Sequence, residues 1–146
     1  MAVVETEVPP SRVAPAPSSR LRPSRNLVIV RGGDGSLHRK WLGDGQRRDF
    51  DVFLSYYGRN PGRLAEEVDY FERRSGPKWP CIAELLRAHS GLVQQYDCVW
   101  FPDDDLATNA ASIDRMFAFF HAYALCLAQP ALTHDSPCTW RTLRQD

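Results

Sequence analysis

Neither sign of charge is in excess, because Lys plus Arg and Asp plus Glu number 18 each. A balanced chain casts no global field toward nucleic acid or an anionic membrane, so no nucleic-acid partner is expected. No apolar run reaches the about 20 residues that a membrane-crossing helix needs. The longest, MFAFFHAYALCLAQPAL, is broken by His121, Gln129 and Pro130. The N-terminal stretch MAVVETEVPPSRVAPAPSSRLRPSR lacks the apolar core of a secretory signal. Among Cys81, Cys98, Cys126 and Cys138 no pair has C-x-x-C spacing. Cys98 and Cys126 sit in apolar runs and read as buried, reduced thiols. That argues against a disulfide scaffold and for a reducing, cytoplasmic setting. His38, His89, His121 and His134 show no metal-ligand spacing, and there is no internal repeat.

What is present is an alternation of strand and helix signals. Residues 1–25, rich in Pro, Ser, Ala and Arg, cannot bury a core and are expected to be disordered. NLVIV, residues 26–30, is a continuous apolar run suited to a strand buried on both faces. FDVFLSYY, residues 50–57, is a second strand, and YDCVWF, residues 96–101, a third. Between them, Leu64, Val68 and Phe71 have helical spacing in RLAEEVDYFERR, and CIAELLRAH puts Ile82, Leu85 and Leu86 on one helix face. Pro80 suits the first turn of that helix. Thr108 or Asn109 can cap a further helix whose apolar face is Ile113, Met116, Phe117 and Phe120, extended by Tyr123 and Ala124. LCLAQPAL reads as a fourth extended segment. The alternation predicts an α/β layer with a mainly parallel sheet, whose ligands bind beyond the carboxyl ends of the strands.

At one such end stands PDDDL. Two carboxylates about 5 Å apart repel by roughly 3 kcal/mol at an effective dielectric near 20, and something must offset that. On an extended backbone Asp103 and Asp105 point to one side and Asp104 to the other. Two convergent carboxylates would suit a hard divalent cation, Mg²⁺ or Mn²⁺. A following helix N-terminus offsets acidic charge equally well, by capping and by its dipole. Lys78, just before a helix whose N-terminus favours anions, reads as a phosphate or base contact or as a plain surface lysine. Trp79 stacks on a ligand in one reading and packs into the core in the other.

YDCVWFPDDDL, with GPKWPCIAELL before it and LAQPALTHDSPCTW after it, resembles a bacterial and plant family known as domain-of-unknown-function family 707. That family is related to glycosyltransferases of the GT-A fold. The resemblance runs in order over residues 26–142 and is most specific in the PDDDL and AQPALT blocks. It implies a GT-A-like domain over 26–146 that binds a nucleotide-sugar donor and transfers the sugar to an unidentified acceptor, a glycan or another molecule. In GT-A enzymes a D-x-D motif holds Mn²⁺ or Mg²⁺ against the donor diphosphate. Carried over, Asp105 touches the metal and Asp103 acts through water or the ribose. Arg31, at the end of the first strand, falls where GT-A folds meet the nucleotide; its other reading is a solvated loop arginine. Arg31, Lys78 and Asp104 are then the nucleotide-sugar contacts. Such domains continue well past the acidic motif, so the resemblance also implies that this sequence is the donor-binding half, C-terminally incomplete, with no assignable catalytic base.

Rival readings are weaker. Gly33-x-Gly35 lacks the third glycine of a dinucleotide loop, since His38 stands there, and the second strand ends in Tyr56 and Tyr57 rather than an acid. His134, Asp135 and Ser136 are neighbours in sequence, which does not make a triad. Asp103-x-Asp105 is similar to the motif of haloacid-dehalogenase-like phosphatases, but Ala107 replaces its usual Thr or Val. An inactive nucleotide- or carbohydrate-binding remnant is the non-enzymatic alternative.

Overall fold

The computed structural model describes residues 26–43, 48–62, 64–137 and 140–145. The tail reading over 1–25 and the thiol of Cys138 lie outside these residues.

Four strands form one parallel sheet: β1 (Asn26–Gly32), β2 (Phe50–Tyr56), β3 (Tyr70–Arg73) and β4 (Cys98–Trp100). Their order is β3-β2-β1-β4. Asn26 pairs with both Phe50 and Cys98, and Phe53 pairs with Tyr70, so β1 and β2 are the interior strands. Every residue of both is buried. The apolar run Leu27–Val30 of β1 reflects this, because a parallel strand covered on both faces has no side to leave to solvent, while in β2 the polar Asp51 and Ser55 are buried as well. Alternate residues serve opposite layers. Val28 and Val30 join Trp41, Val52, Leu54 and Phe117 on one face, while Leu27 and Ile29 meet Phe53 and Leu85 on the other. The α/β architecture with a parallel sheet flanked by helices is as expected.

Helix α1 (Leu64–Glu67) precedes β3; α2 (Lys78–Ala88) and α3 (Ser90–Val93) connect β3 to β4, and α4 (Ala110–Ala122) follows β4. Pro80 stands in the first turn of α2, where a missing N–H costs no helical hydrogen bond. Asn109 caps α4, its side chain accepting from the Ser112 N–H at 2.9 Å. Ile113 and Phe117 are buried against the sheet, each contributing about 2 kcal/mol through apolar burial. Among the described residues no helix is long and apolar enough to cross a membrane.

Four expectations fail locally. RLAEEVDYFERR is not one helix; it breaks after Glu67 and its second half becomes β3. Tyr70 packs with Phe53 on one face and Phe71 with Tyr56 on the other. Two aromatics facing opposite layers need a period of two, and pairing with β2 supplies the backbone partners a helix would otherwise provide. Residues 125–131 are not a sheet strand; Leu125 and Leu127 are exposed, Cys126 is exposed rather than buried, and only an isolated bridge joins Leu132 to Arg144. Tyr123 does not extend the buried face of α4 but lies in solvent, stacked on Phe119.

Candidate functional site

The carboxyl ends of the strands converge on one polar cleft. It has a volume of about 260 Å³ and is lined by Arg31, Tyr57, Gly76, Lys78, Asp103 and Asp104. Arg31 comes from the end of β1, Tyr57 follows β2, Gly76 and Lys78 lead into α2, and the aspartates follow β4. This is the position at which an open parallel sheet receives ligands. Pockets that enclose whole small ligands run to roughly 300–1,000 Å³, so the cleft is at or below the small end of that range.

Arg31 is not a solvated loop residue; it is only 5% exposed. Its guanidinium donates to Ser55 Oγ at 3.0 Å, to the Arg74 carbonyl at 2.7 Å and to the Gly76 carbonyl at 2.7 Å. A fork of fixed donors suits three acceptors held on two segments. The side chain thus ties β1 to β2 and to the loop that opens α2, and it stacks over the Tyr57 ring at 5.3 Å. Gly76 has φ +129, a conformation open to glycine, and a side chain there would also press on Cys81 Sγ.

Behind Arg31 lies a buried carboxylate that sequence reasoning missed. Glu72 on β3 is 1% exposed and accepts from Ser55 Oγ at 2.7 Å and from Arg74 at 2.9 Å and 3.1 Å. Arg74 also pairs with Glu84 at 2.7 Å. Burial pushes the Glu72 carboxyl up, but hydrogen bonds from Arg74 and Ser55 outweigh it and hold the group below the usual carboxylate range. The one sequence signal was an acid at a strand end. Helical spacing of Leu64, Val68 and Phe71 hides it, because on a helix that position would face solvent.

The three aspartates diverge. A turn covers Asp104 and Asp105, so the alternation expected of an extended backbone does not apply. Asp104 does point away from Asp103, but toward the loop after β1. Its Oδ2 accepts from the Gly33 N–H at 3.0 Å and from the Tyr57 hydroxyl at 3.3 Å, while its carbonyl accepts from the Leu37 N–H at 2.7 Å. Burial, then the negative charge of Asp104, raises the Tyr57 hydroxyl above its ordinary value. Asp103 is exposed and paired with Lys78, whose Nζ also reaches the Pro102 carbonyl at 3.2 Å. Asp105 is exposed and is not part of the cleft lining. Arg31, Lys78, Asp103 and Asp104 are therefore brought together, and Asp105 is not.

Trp79 is 62% exposed, against the expectation of core packing. At the second position of α2 it projects into solvent, its ring 5.1 Å from Lys78 Nζ and edge-on to Phe101. An exposed indole next to a cleft-lining lysine offers a stacking surface.

The Mn²⁺ or Mg²⁺ implied by the resemblance can be tested against this donor set. Among the described residues no three His, Cys, Asp or Glu side chains are grouped to hold a metal ion. The Asp103 carboxylate already binds an ammonium, Asp104 faces a backbone N–H, and Asp105 stands apart. In this arrangement the residues do not fit a divalent ion. Comparison of the chain with protein-family models, with curated proteins and with solved structures finds no match.

Proposed function

We propose that the cleft binds the diphosphate of a nucleotide sugar and that the chain is a glycosyltransferase-like donor-binding domain. The observation that carries the reading is that Arg31 and Lys78, the latter at the N-terminus of α2, meet in one cleft at the carboxyl end of a parallel sheet. Lys78 lines the cleft at the first residue of α2, a helix whose N-cap, Pro77, has no capping side chain. The first-turn N–H groups of such a helix, with its dipole, favour phosphate oxygens. Trp79, exposed beside them, offers a face to the base or the sugar ring. In glycosyl transfer the bond from the anomeric carbon to the diphosphate oxygen breaks as the acceptor hydroxyl oxygen bonds to that carbon, and the hydroxyl proton passes to solvent or to the departing diphosphate. Negative charge develops on the departing oxygen, and a positioned ammonium stabilises it.

A binding module without turnover is the second reading, favoured by one feature. Both carboxylates that line the cleft, Asp103 and Asp104, are already engaged, so neither is poised as a base toward an acceptor. Isothermal calorimetry with UDP, GDP and the matching nucleosides tests the donor site. Diphosphates are expected to bind and nucleosides to bind more weakly. Absence of heat with both diphosphates would refute the proposal. Mass-spectrometric detection of sugar transfer then separates enzyme from binding module.

A further inference from the structure

The acidic end that should attract a divalent ion holds a side-chain cation instead. Lys78 Nζ lies 2.5 Å from Asp103 Oδ1 and 3.2 Å from the Pro102 carbonyl, with the Trp79 ring 5.1 Å away. Two oxygens and an aromatic face are the partners an ammonium takes when it is held in place. The Lys78 side chain is three-quarters buried, whereas Asp103 is largely exposed. The lysine is therefore the fixed member of the pair, anchored on the first turn of an 11-residue helix. An ammonium has three N–H donors and these two oxygens occupy two of them. The third remains, and Lys78 lines the cleft.

We infer that Lys78 is a built-in cation that takes the place of a divalent metal at Asp103, so that anion binding in the cleft needs no metal. A divalent ion on Asp103 would sit beside the ammonium, and the two positive charges would repel. Metal on Asp103 Oδ1 would have to displace Lys78 from that oxygen. The other two aspartates do not help, since Asp104 is turned to Gly33 and Tyr57 and Asp105 is outside the cleft lining. The inference rests on the reading of the cleft as a diphosphate site, but its claim about Asp103 and Lys78 can be examined with metal alone.

The experiment uses the full chain and Mn²⁺ without nucleotide, followed by calorimetry and by the electron paramagnetic resonance signal of free Mn²⁺. Lys78→Met should bind Mn²⁺ about tenfold more tightly than the wild type, because one like charge has been removed beside the carboxylate. Adding Asp103→Asn should cancel the gain, and Lys78→Arg, which keeps a cation, should bind Mn²⁺ no more tightly than the wild type. Equal Mn²⁺ affinity in the wild type and Lys78→Met, including no binding by either, overturns the inference. In a second arm UDP is titrated into the wild type with and without EDTA. Undiminished UDP binding in EDTA is the expected result, and a strict need for Mn²⁺ overturns it. Failure of UDP to bind under any condition counts against the diphosphate site, while the Mn²⁺ arm still decides the role of Lys78.

Discussion

Replacing Arg31 with methionine separates a structural clamp from a ligand contact. The guanidinium serves Ser55 Oγ and the carbonyls of Arg74 and Gly76 from a position 5% exposed. Methionine keeps most of the apolar stem and removes every donor. Ser55 Oγ still has Glu72, so the direct loss falls on two carbonyls. A buried acceptor left without a donor costs about 1–3 kcal/mol. Two of them give roughly 2–6 kcal/mol, and the low end applies because the cleft lets water approach. Relief of the Arg31 Nε, buried without a partner, trims the loss further. The expected destabilisation is therefore about 2–3 kcal/mol, a fall of roughly 7–12 °C in Tm for a domain of this size. Urea unfolding followed by circular dichroism measures it, and hydrogen exchange should show the segment around Arg74 to Lys78 opening first. Arg31→Lys should recover less than half, since a point charge cannot reach all three acceptors. A loss under about 1 kcal/mol with unchanged exchange in that segment would show that the loop does not depend on Arg31.

Two further outcomes follow from the same site. Glu72 is held below the usual carboxylate range, so its contribution to stability is complete above the unfolded-state value and is lost as pH falls through the lowered folded value. Glu72→Gln should accordingly flatten the fall in stability seen in urea titrations below about pH 4, and an unchanged acid limb would count against the Arg74–Glu72–Ser55 network. Trp79→Ala should change stability by less than about 0.5 kcal/mol, as expected of an exposed side chain, yet weaken UDP binding in calorimetry; a large drop in melting temperature would instead mean that the indole packs.

The sequence by itself determined the elements whose signal is local. NLVIV suited a strand covered on both faces and FDVFLSYY a second strand, and they are the interior of the sheet. Thr108 or Asn109 before an apolar 3.6-residue period marked the start of α4, and the structure makes Asn109 the cap. Local pattern failed where two periods overlapped. Leu64, Val68 and Phe71 have helical spacing, but Tyr70 and Phe71 also suit opposite faces of a strand, and pairing with β2 decided for the strand. That decision moved Glu72 from a helix surface to a buried strand end beside Ser55 and Arg74. The candidate site depended on tertiary structure still more. PDDDL was visible as an acidic end, yet whether its carboxylates converge depends on a turn at Asp104 and Asp105 and on donors from elsewhere in the chain. Gly33 and Tyr57 draw Asp104 to one side, and Lys78 neutralises Asp103 on the other. Periodicity carries no information about such partners, because β1, β2, α2 and the end of β4 meet only through the order and register of the sheet.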